Sequence, residues 1–520
     1  MFVRVTSYLC LGVIAMAVFF YVIFGSSFAE LSVQLPRLDF PIFIGELLLL
    51  FCVIVFIGHL VKEPVMLKGW HAGAMAYAGW VVLKAVDGYI SGGSYGLRNA
   101  ALFYYPLFAL LTHHFIMKIK LAKHTLVLLG IPLAMAAVAL SEPGMTYPLF
   151  MTALCLAGCI PRRRIKYSFF IIIISLFVYR LILLSSGRAC LVGVVTGVLF
   201  LGWYMMRIQK VLLEKQVVPI LAVIILVGGS LWYLGDRNAI ISLIKPQQMF
   251  AAYNAYDKIV DQQQAAFVPC KISSKLYHKN EVVVRDIDKG RLNSNDPEII
   301  SKKDVIAVSA VPVVASFDRH ENNAINMVDV KKKAVVVESA DQTRTQRSAP
   351  APFVASGASL QDRSRSRNLE SAYYNVAFRF FIWRDMLREL VRERAFLGFS
   401  FGRPQRSASL EILHWGEGEW SRDGWIAPHN AFLHMIYRGG IVGLGVIVFI
   451  LVALGGMMKN FLQVQSWKGG LLLSALVYWI VIAQFGVILE LPYNAIAFWA
   501  LFGGTWAYRD KLIAESLQGA

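Results

Sequence analysis

The chain has 520 residues, of which 57% are apolar and 16% charged, and its mean hydropathy is +0.56. This composition excludes an ordinary water-soluble domain and is typical of an integral membrane protein. The net charge of +18 comes without a basic domain interleaved with aromatic residues. We therefore attribute it to membrane topology and contact with anionic lipids, and expect no nucleic-acid partner.

Apolar runs close to the ~20 residues that cross a bilayer recur along the chain. The first lacks a convincing small-residue cleavage site, so we interpret it as a retained helix rather than a signal peptide. The sequence predicts an all-α polytopic membrane protein with about twelve transmembrane helices. The runs cover residues 8–26, 40–61, 70–90, 98–117, 123–141, 145–160, 166–184, 188–206, 216–234, 430–457, 467–488 and 491–508.

Basic residues in the short connections orient these helices. One alternating set of connections is rich in lysine and arginine, whereas the opposite set carries little beyond Arg37, Arg98 and Arg188. By the positive-inside rule, the basic set and both termini are cytoplasmic, and the long segment 235–428 lies outside. The basic set includes Lys62, Lys68, Lys118, Lys120, Lys123, Arg162, Arg163, Arg164, Lys166, Arg207, Lys210, Lys215, Lys459 and Lys468.

The chain is therefore expected to have three parts. Residues 1–234 hold transmembrane helices 1–9, residues 235–428 form one large outer loop between helices 9 and 10, and residues 429–520 hold helices 10–12 and a cytoplasmic tail.

Within the outer loop, composition changes twice. Residues 236–342 mix short β-prone runs with charged clusters and predict a small soluble subdomain, whereas residues 343–369 are rich in Ser, Arg and Pro and predict disorder. Residues 373–396 show helical periodicity with apolar and charged faces, which predicts an amphipathic helix lying on the outer membrane surface.

Three cations on the outer side are candidates for binding an anionic ligand. Lys84 and Asp87 are three residues apart near the outer end of the third helix and form either a self-neutralising pair or a lysine site for an anion. Arg98 opens the fourth helix on the same side. Arg188 follows a very short outer turn and is either a snorkelling anchor or a phosphate ligand.

His429 lies where the polar loop meets the tenth apolar helix. Asn430 is a good N-cap, so we expect the helix to begin there, with His429 at the membrane–water boundary beside the positive end of the helix dipole. That dipole disfavours the imidazolium, so His429 can be interpreted as a neutral ring that accepts a proton. The alternative interpretation is a polar residue that only anchors the helix end. The six cysteines predict neither a disulfide framework nor a metal site.

Three separated motifs resemble the O-antigen ligase/polymerase family of bacterial membrane glycosyltransferases. They lie on one predicted membrane side and in the same order as in that family. They are Ser-Gly-Arg188, Arg379-Phe-Phe-Ile-Trp383 with Phe396-Leu-Gly-Phe-Ser-Phe-Gly402, and Pro428-His-Asn-Ala-Phe-Leu433 with Arg438-Gly-Gly-Ile-Val-Gly443.

The resemblance implies a GT-C-like fold in the bacterial inner membrane and a periplasmic active site. It implies an undecaprenyl-diphosphate-linked glycan as donor, lipid A-core or another glycan as acceptor, and inverting transfer without metal or cofactor. Arg188 and Arg379 would hold the diphosphate, and His429 would deprotonate the acceptor hydroxyl. Further candidate substrate-binding residues are Lys84, Arg98, Trp383 and Asn430.

Alternatives remain open at this stage. The same family contains polymerases and protein oligosaccharyltransferases, and our preference for a ligase rests on the single dominant outer loop and the lack of paired Arg-x10-Gly motifs. A transporter or flippase is a more distant alternative, because twelve helices is also common in that class. It predicts repeats and charges near the bilayer midplane, which the sequence lacks beyond Lys84 and Asp87.

Overall fold

A computed structural model describes residues 2–34, 41–62, 69–119, 134–141, 143–160, 163–183, 188–208, 360–413 and 428–518. All of the described residues belong to one compact unit. This unit contains both the helices up to residue 208 and the segment from Leu360 onward. The runs 216–234 and most of 123–141, the expected subdomain 236–342 and most of the stretch 343–369 lie outside the described residues.

The described part of the chain is almost entirely helical. A short antiparallel hairpin, β1 (Ser32–Gln34) and β2 (Pro41–Phe43), joins the first two helices. Up to residue 208 the helices are α1 (Phe2–Ala29), α2 (Ile44–Lys62), α3 (Gly69–Gly92), α4 (Ser94–Tyr104), α5 (Leu107–Lys118), α6 (134–140), α7 (Pro143–Ala157), α8 (Arg163–Leu183) and α9 (Arg188–Ile208). After residue 359 they are α10 (Leu360–Arg392), α11 (Ala408–Ile412), α12 (Ala431–Gln463), α13 (Trp467–Ile482) and α14 (Pro492–Gln518).

Four helical segments of the described chain are long and apolar enough to cross a membrane. They are Phe2–Gly25, Ile44–Lys62, Gly96–Lys118 and Ala431–Gln463, and shorter apolar helices cover Met145–Ala157, Val192–Ile208 and Trp467–Ile482. The described residues thus form a mostly helical protein with several candidate membrane spans, which is compatible with the expected all-α membrane protein. The expected number of twelve spans stays a prediction. The third segment contains a break, because Pro106 separates α4 from α5 and has no N–H to continue the helical pattern.

Helix α13 lies at the centre of the packing. It contacts α7, α9 and α14, and α14 in turn packs against α1 and α5. The Tyr147 hydroxyl lies 2.6 Å from the Ser474 Oγ, which donates to the Gly197 carbonyl at 2.8 Å and so joins α7, α13 and α9. Such hydrogen bonds are favourable inside a bundle because water is not there to compete.

Helix α10, which covers the expected amphipathic helix, begins at Leu360 rather than at 373 and ends at Arg392 rather than at 396. The last part of the stretch expected to be disordered, 360–369, is therefore helical. Arginine is a good helix former, and extending a helix that is already docked avoids the cost of nucleation. The docked face of α10 is formed by Ala377, Phe381, Ile382 and Met386, which pack with Phe399, Leu410 and Tyr437.

Helix α12 is broken at Gly440, which has φ +55°. Residues before the break are mostly enclosed by protein, whereas Ile441 is 66% exposed and begins a surface of exposed apolar side chains. The loop 396–403 fills the gap at the break. Ile441 N–H donates to the Phe396 carbonyl at 2.8 Å, and Phe399 N–H donates to the Tyr437 carbonyl at 2.9 Å. The backbone groups freed by the break are thereby satisfied.

Candidate functional site

His429 occupies a backbone conformation that side chains rarely adopt. Its φ is +51°, and it immediately precedes Asn430, the N-cap of α12, whose side chain accepts from Leu433 N–H at 2.9 Å. Trp383 donates its indole N–H to the Pro428 carbonyl at 2.6 Å, and Ala431 N–H donates to the Ala483 carbonyl at 2.9 Å. The segment is therefore held on both sides of the histidine, as expected where strain is kept at a functional position.

Arg379 of α10 lies beside His429. The ring of the neighbouring Phe378 is 6.4 Å from the imidazole, and the charge of Arg379 acts on His429. The Arg379 side chain is half-buried, and burial lowers its pKa from the ordinary value. None of the described residues places a carboxylate within ion-pair distance of it. A half-buried guanidinium without an acidic partner suits an anionic ligand.

The surroundings of His429 favour the neutral imidazole. Burial lowers its pKa below the ordinary 6.5, and the positive charge of Arg379 lowers it further, while the Glu490 carboxylate acts in the opposite direction. The net effect is a lowered pKa, because an imidazolium would be poorly solvated and next to another cation. At neutral pH the ring can thus accept a proton. The sequence analysis expected a neutral ring from the helix dipole, whereas the causes seen in the structure are burial and the charge of Arg379.

A second polar cluster lies one turn further along α12. Arg438 is 1% exposed and donates from Nε to His434 Nε2 at 3.2 Å, so Nε2 is the acceptor and the imidazole proton lies on Nδ1. His434 Nδ1 then donates to the Glu490 carboxylate. His434 and Arg438 therefore belong to one buried polar network. The sequence analysis did not identify this network, and the i, i+4 spacing of the two residues was the available signal.

Arg438 and Lys84 both hold the loop 396–403. Arg438 Nη1 donates to the carbonyls of Ser400 and Arg403 at 2.8 and 2.7 Å, and Lys84 Nζ donates to the Phe399 carbonyl at 3.0 Å. A Cβ on Gly402 would lie 2.3 Å from the Gly88 carbonyl oxygen of α3, so only glycine fits at that contact. The ammonium of Lys84 is therefore already engaged by backbone, as well as facing the Phe401 ring at 5.4 Å.

The remaining predicted positions are distributed around this site. Arg98 is exposed on α4, next to Asn99, whose amide donates to the Phe401 carbonyl at 2.7 Å. Arg188 is the first residue of α9, and its side chain lies outside the described residues. Trp383 and Asn430 position the His429 segment through the bonds given above. The described structure thus brings Arg379, Trp383, His429 and Asn430 together.

Two carboxylates at the C-terminal end of α10 share one cation. Arg403 bonds to Glu389 and to Glu393 at 2.6 Å each, and the Tyr437 hydroxyl donates to Glu389 at 2.7 Å. The Arg403 guanidinium holds the pKa of Glu393 below its usual range. Over the residues that the structure describes, no group of three or more His, Cys, Asp or Glu is arranged to hold a metal ion.

Comparisons of the chain with models of protein families, with curated proteins and with solved structures each find no match.

Proposed function

We propose that this chain is a membrane glycosyltransferase. It moves a glycan from an undecaprenyl-diphosphate carrier to an acceptor hydroxyl, with lipid A-core as the preferred acceptor, at the periplasmic face of the bacterial inner membrane. The observation that carries the proposal is the pair Arg379–His429: a half-buried cation with no acid partner among the described residues, beside an imidazole whose lowered pKa keeps it neutral. The motif resemblance supplies the substrate class.

The proposed reaction is a single displacement. The acceptor oxygen attacks the anomeric carbon while the bond from that carbon to the diphosphate oxygen breaks. The diphosphate leaves with the electron pair, and His429 takes the proton from the acceptor hydroxyl. Charge on the leaving diphosphate grows as the bond breaks, so Arg379 contributes most in the transition state. Attack opposite the leaving group inverts the anomeric centre. The scheme uses no nucleotide and requires no metal.

Arg188 is assigned to the diphosphate together with Arg379, on the strength of the motif that carries it. Arg98 is exposed and remains a further candidate for the donor. The contact of Lys84 with the Phe399 carbonyl favours a role in holding the loop 396–403 over direct donor binding. Trp383 and Asn430 are assigned to positioning, since both bond to the segment that carries His429.

Transfer by purified protein in detergent tests the proposal. The assay uses an isolated lipid-linked glycan and lipid A-core, so no membrane separates compartments and a transporter would show no activity. Arg379→Ala and Arg188→Ala should each abolish transfer at normal protein level, and lysine should rescue poorly because it loses the planar two-pronged contact. Arg406→Ala is the matched control, since Arg406 is an exposed arginine nearby. Normal transfer by Arg379→Ala would refute the assignment.

Lipopolysaccharide from a deletion strain separates the members of the proposed class. If the deleted protein is a ligase, the strain should carry core without any O-chain and should accumulate lipid-linked polymer. If it is a polymerase, the strain should carry core bearing a single repeat unit. Unaltered lipopolysaccharide together with loss of a protein-linked glycan would instead indicate an oligosaccharyltransferase.

A further inference from the structure

The C-terminal end of α10 forms a well-defined turn. Arg394 has φ +50°, its N–H donates to the Val391 carbonyl at 3.2 Å, and Ala395 N–H donates to the Leu390 carbonyl at 3.1 Å. This is the Schellman pattern of helix termination, with arginine at the position that usually holds glycine. The chain then bends again at Gly398, which has φ +72°. The turn is therefore part of the ordered structure and holds its side chains in definite directions.

Large apolar side chains project outward from this turn. Val391 is 73% exposed, Phe396 is 77% exposed and Leu397 is 64% exposed, although each is next to residues that are well packed. Phe399, two residues after Leu397, is buried at 6% against α10. A turn that buries one phenylalanine and exposes another with two aliphatic neighbours presents an apolar patch that requires a partner.

The patch is continuous with the lipid-facing surface of α12. The Phe396 carbonyl accepts from Ile441 N–H at 2.8 Å, and Ile441 is the first residue of α12 with a largely exposed apolar side chain. From Ile441 to Gln463 the helix is about 34 Å long at ~1.5 Å per residue, enough for the ~30 Å hydrocarbon core. The outer edge of that core therefore lies near Ile441, at the level of Phe396, and not at residue 430 where the sequence placed it.

Arginines surround the apolar patch. Arg388, Arg392 and Arg394 are exposed, whereas the nearby Glu389 and Glu393 are both bound by Arg403. Arg392 also approaches Glu393 at 3.6 Å but remains 76% exposed. The rim around the patch consequently carries excess positive charge, which is complementary to the phosphates of anionic phospholipids.

We propose that Val391, Phe396 and Leu397 insert into the outer leaflet of the bilayer, and that Arg388, Arg392 and Arg394 bind the phosphates of anionic phospholipid headgroups. The turn then anchors α10 at a fixed height. Arg379 and His429 are thereby held above the hydrocarbon edge rather than in it. This anchor does not depend on the proposed transfer activity, and its partner is the lipid itself.

Photocrosslinking of the full-length protein in lipid nanodiscs tests the anchor. The photoreactive residue p-benzoylphenylalanine replaces Phe396 in one protein and Glu411, an exposed outer position outside the patch, in a control. The nanodiscs contain phosphatidylcholine alone or mixed with phosphatidylglycerol. We expect phospholipid adducts at position 396 and essentially none at 411. Adducts only with a second copy of the chain, or lipid adducts no more frequent at 396 than at 411, would overturn insertion.

The headgroup preference is measured in the same experiment. An arginine near an anionic surface favours association by about fivefold, so the mixed nanodiscs should give adducts enriched in phosphatidylglycerol over its share of the lipid. The triple variant Arg388→Gln, Arg392→Gln and Arg394→Gln should keep the lipid adduct and lose the enrichment. Phe396 is exposed and its replacement leaves the buried face intact, so misfolding is not expected. Equal enrichment with and without the three arginines would refute the headgroup contact.

Discussion

The indole nitrogen of Trp383 lies 2.6 Å from the carbonyl oxygen of Pro428 and donates to it. This bond joins the middle of α10 to the segment that carries His429. Arg379 lies one helical turn before Trp383 on the same helix. The spacing between the guanidinium and the imidazole is therefore set by a contact that touches neither of them.

Loss of this hydrogen bond should reduce activity without unfolding the protein. In Trp383→Phe the ring is retained but the donor is removed, and a neutral hydrogen bond of ~1 kcal/mol corresponds to about a fivefold effect. We expect kcat to fall by roughly that factor with KM for the donor little changed, measured in the detergent transfer assay. Trp203→Phe on α9 is the control, and an equal loss there would mean that the effect is not specific to the site.

Substitutions at His429 separate catalysis from backbone conformation. Glycine is comfortable at φ +51° and asparagine tolerates it better than most residues. His429→Gly and His429→Asn should therefore keep or raise thermal stability. Both should lose transfer by ~10²–10⁴-fold, as usual for removal of a general base. Donor binding, measured with a labelled lipid-linked glycan, should persist because the arginines remain. Near-normal transfer by His429→Asn would leave the histidine as a helix anchor.

Part of this site can be predicted from short-range patterns in the sequence. Pro428 before Asn430 predicts a helix start, and the structure confirms Asn430 as the N-cap of α12 with its side chain on Leu433 N–H. The helical periodicity after residue 373 likewise predicts the helix that carries Arg379 and Trp383. These signals are short in range. Helix α12 begins where the capping residue indicates, and α10 covers most of the predicted stretch but begins earlier, at Leu360, and ends at Arg392.

The long-range features could not be read in the same way. Gly440 sits in an apolar run that looks like continuous helix, and its break depends on the loop 396–403, whose backbone satisfies Tyr437 and Ile441. Glu490 lies 56 residues after His434 in the chain. Only the packing of α13 and α14 brings the two side chains together. No spacing rule connects groups so far apart in sequence.

The pH dependence of transfer should reveal the neutral imidazole. Protonation of His429 removes the base, so kcat/KM should be flat at neutral pH and fall only below its lowered pKa, that is, below 6.5. The Glu490 carboxylate raises that pKa, so Glu490→Gln should move the acid limb to lower pH while glutamine can still accept from His434. A shift to higher pH, or an acid limb above 6.5, would contradict the assignment.

The matched control for this profile is His113→Gln. His113 pairs with Asp510 at 2.8 Å at the opposite end of the helices, so its loss should leave the acid limb unchanged.

Removal of the Arg438 side chain should destabilise the protein more than removal of any other cation described here. In Arg438→Met the carbonyls of Ser400 and Arg403 lose their donor, and His434 loses the bond that fixes its tautomer. Breaking such a buried charged network by removing one partner costs about 3–5 kcal/mol. Thermal unfolding in detergent measures the loss, and protease should cut more readily within the loop 396–403, because its anchor is gone.

Two variants calibrate that result. Lys84→Met removes one bond to the same loop, at Phe399, and should cost about 1.5–3 kcal/mol, because the donor is charged. Arg207→Met replaces an exposed arginine at the end of α9 and should leave the unfolding temperature close to that of the wild-type protein. If Arg438→Met unfolds at the same temperature as Arg207→Met, then Arg438 does not hold the loop, and the break at Gly440 must be stabilised by its backbone contacts alone.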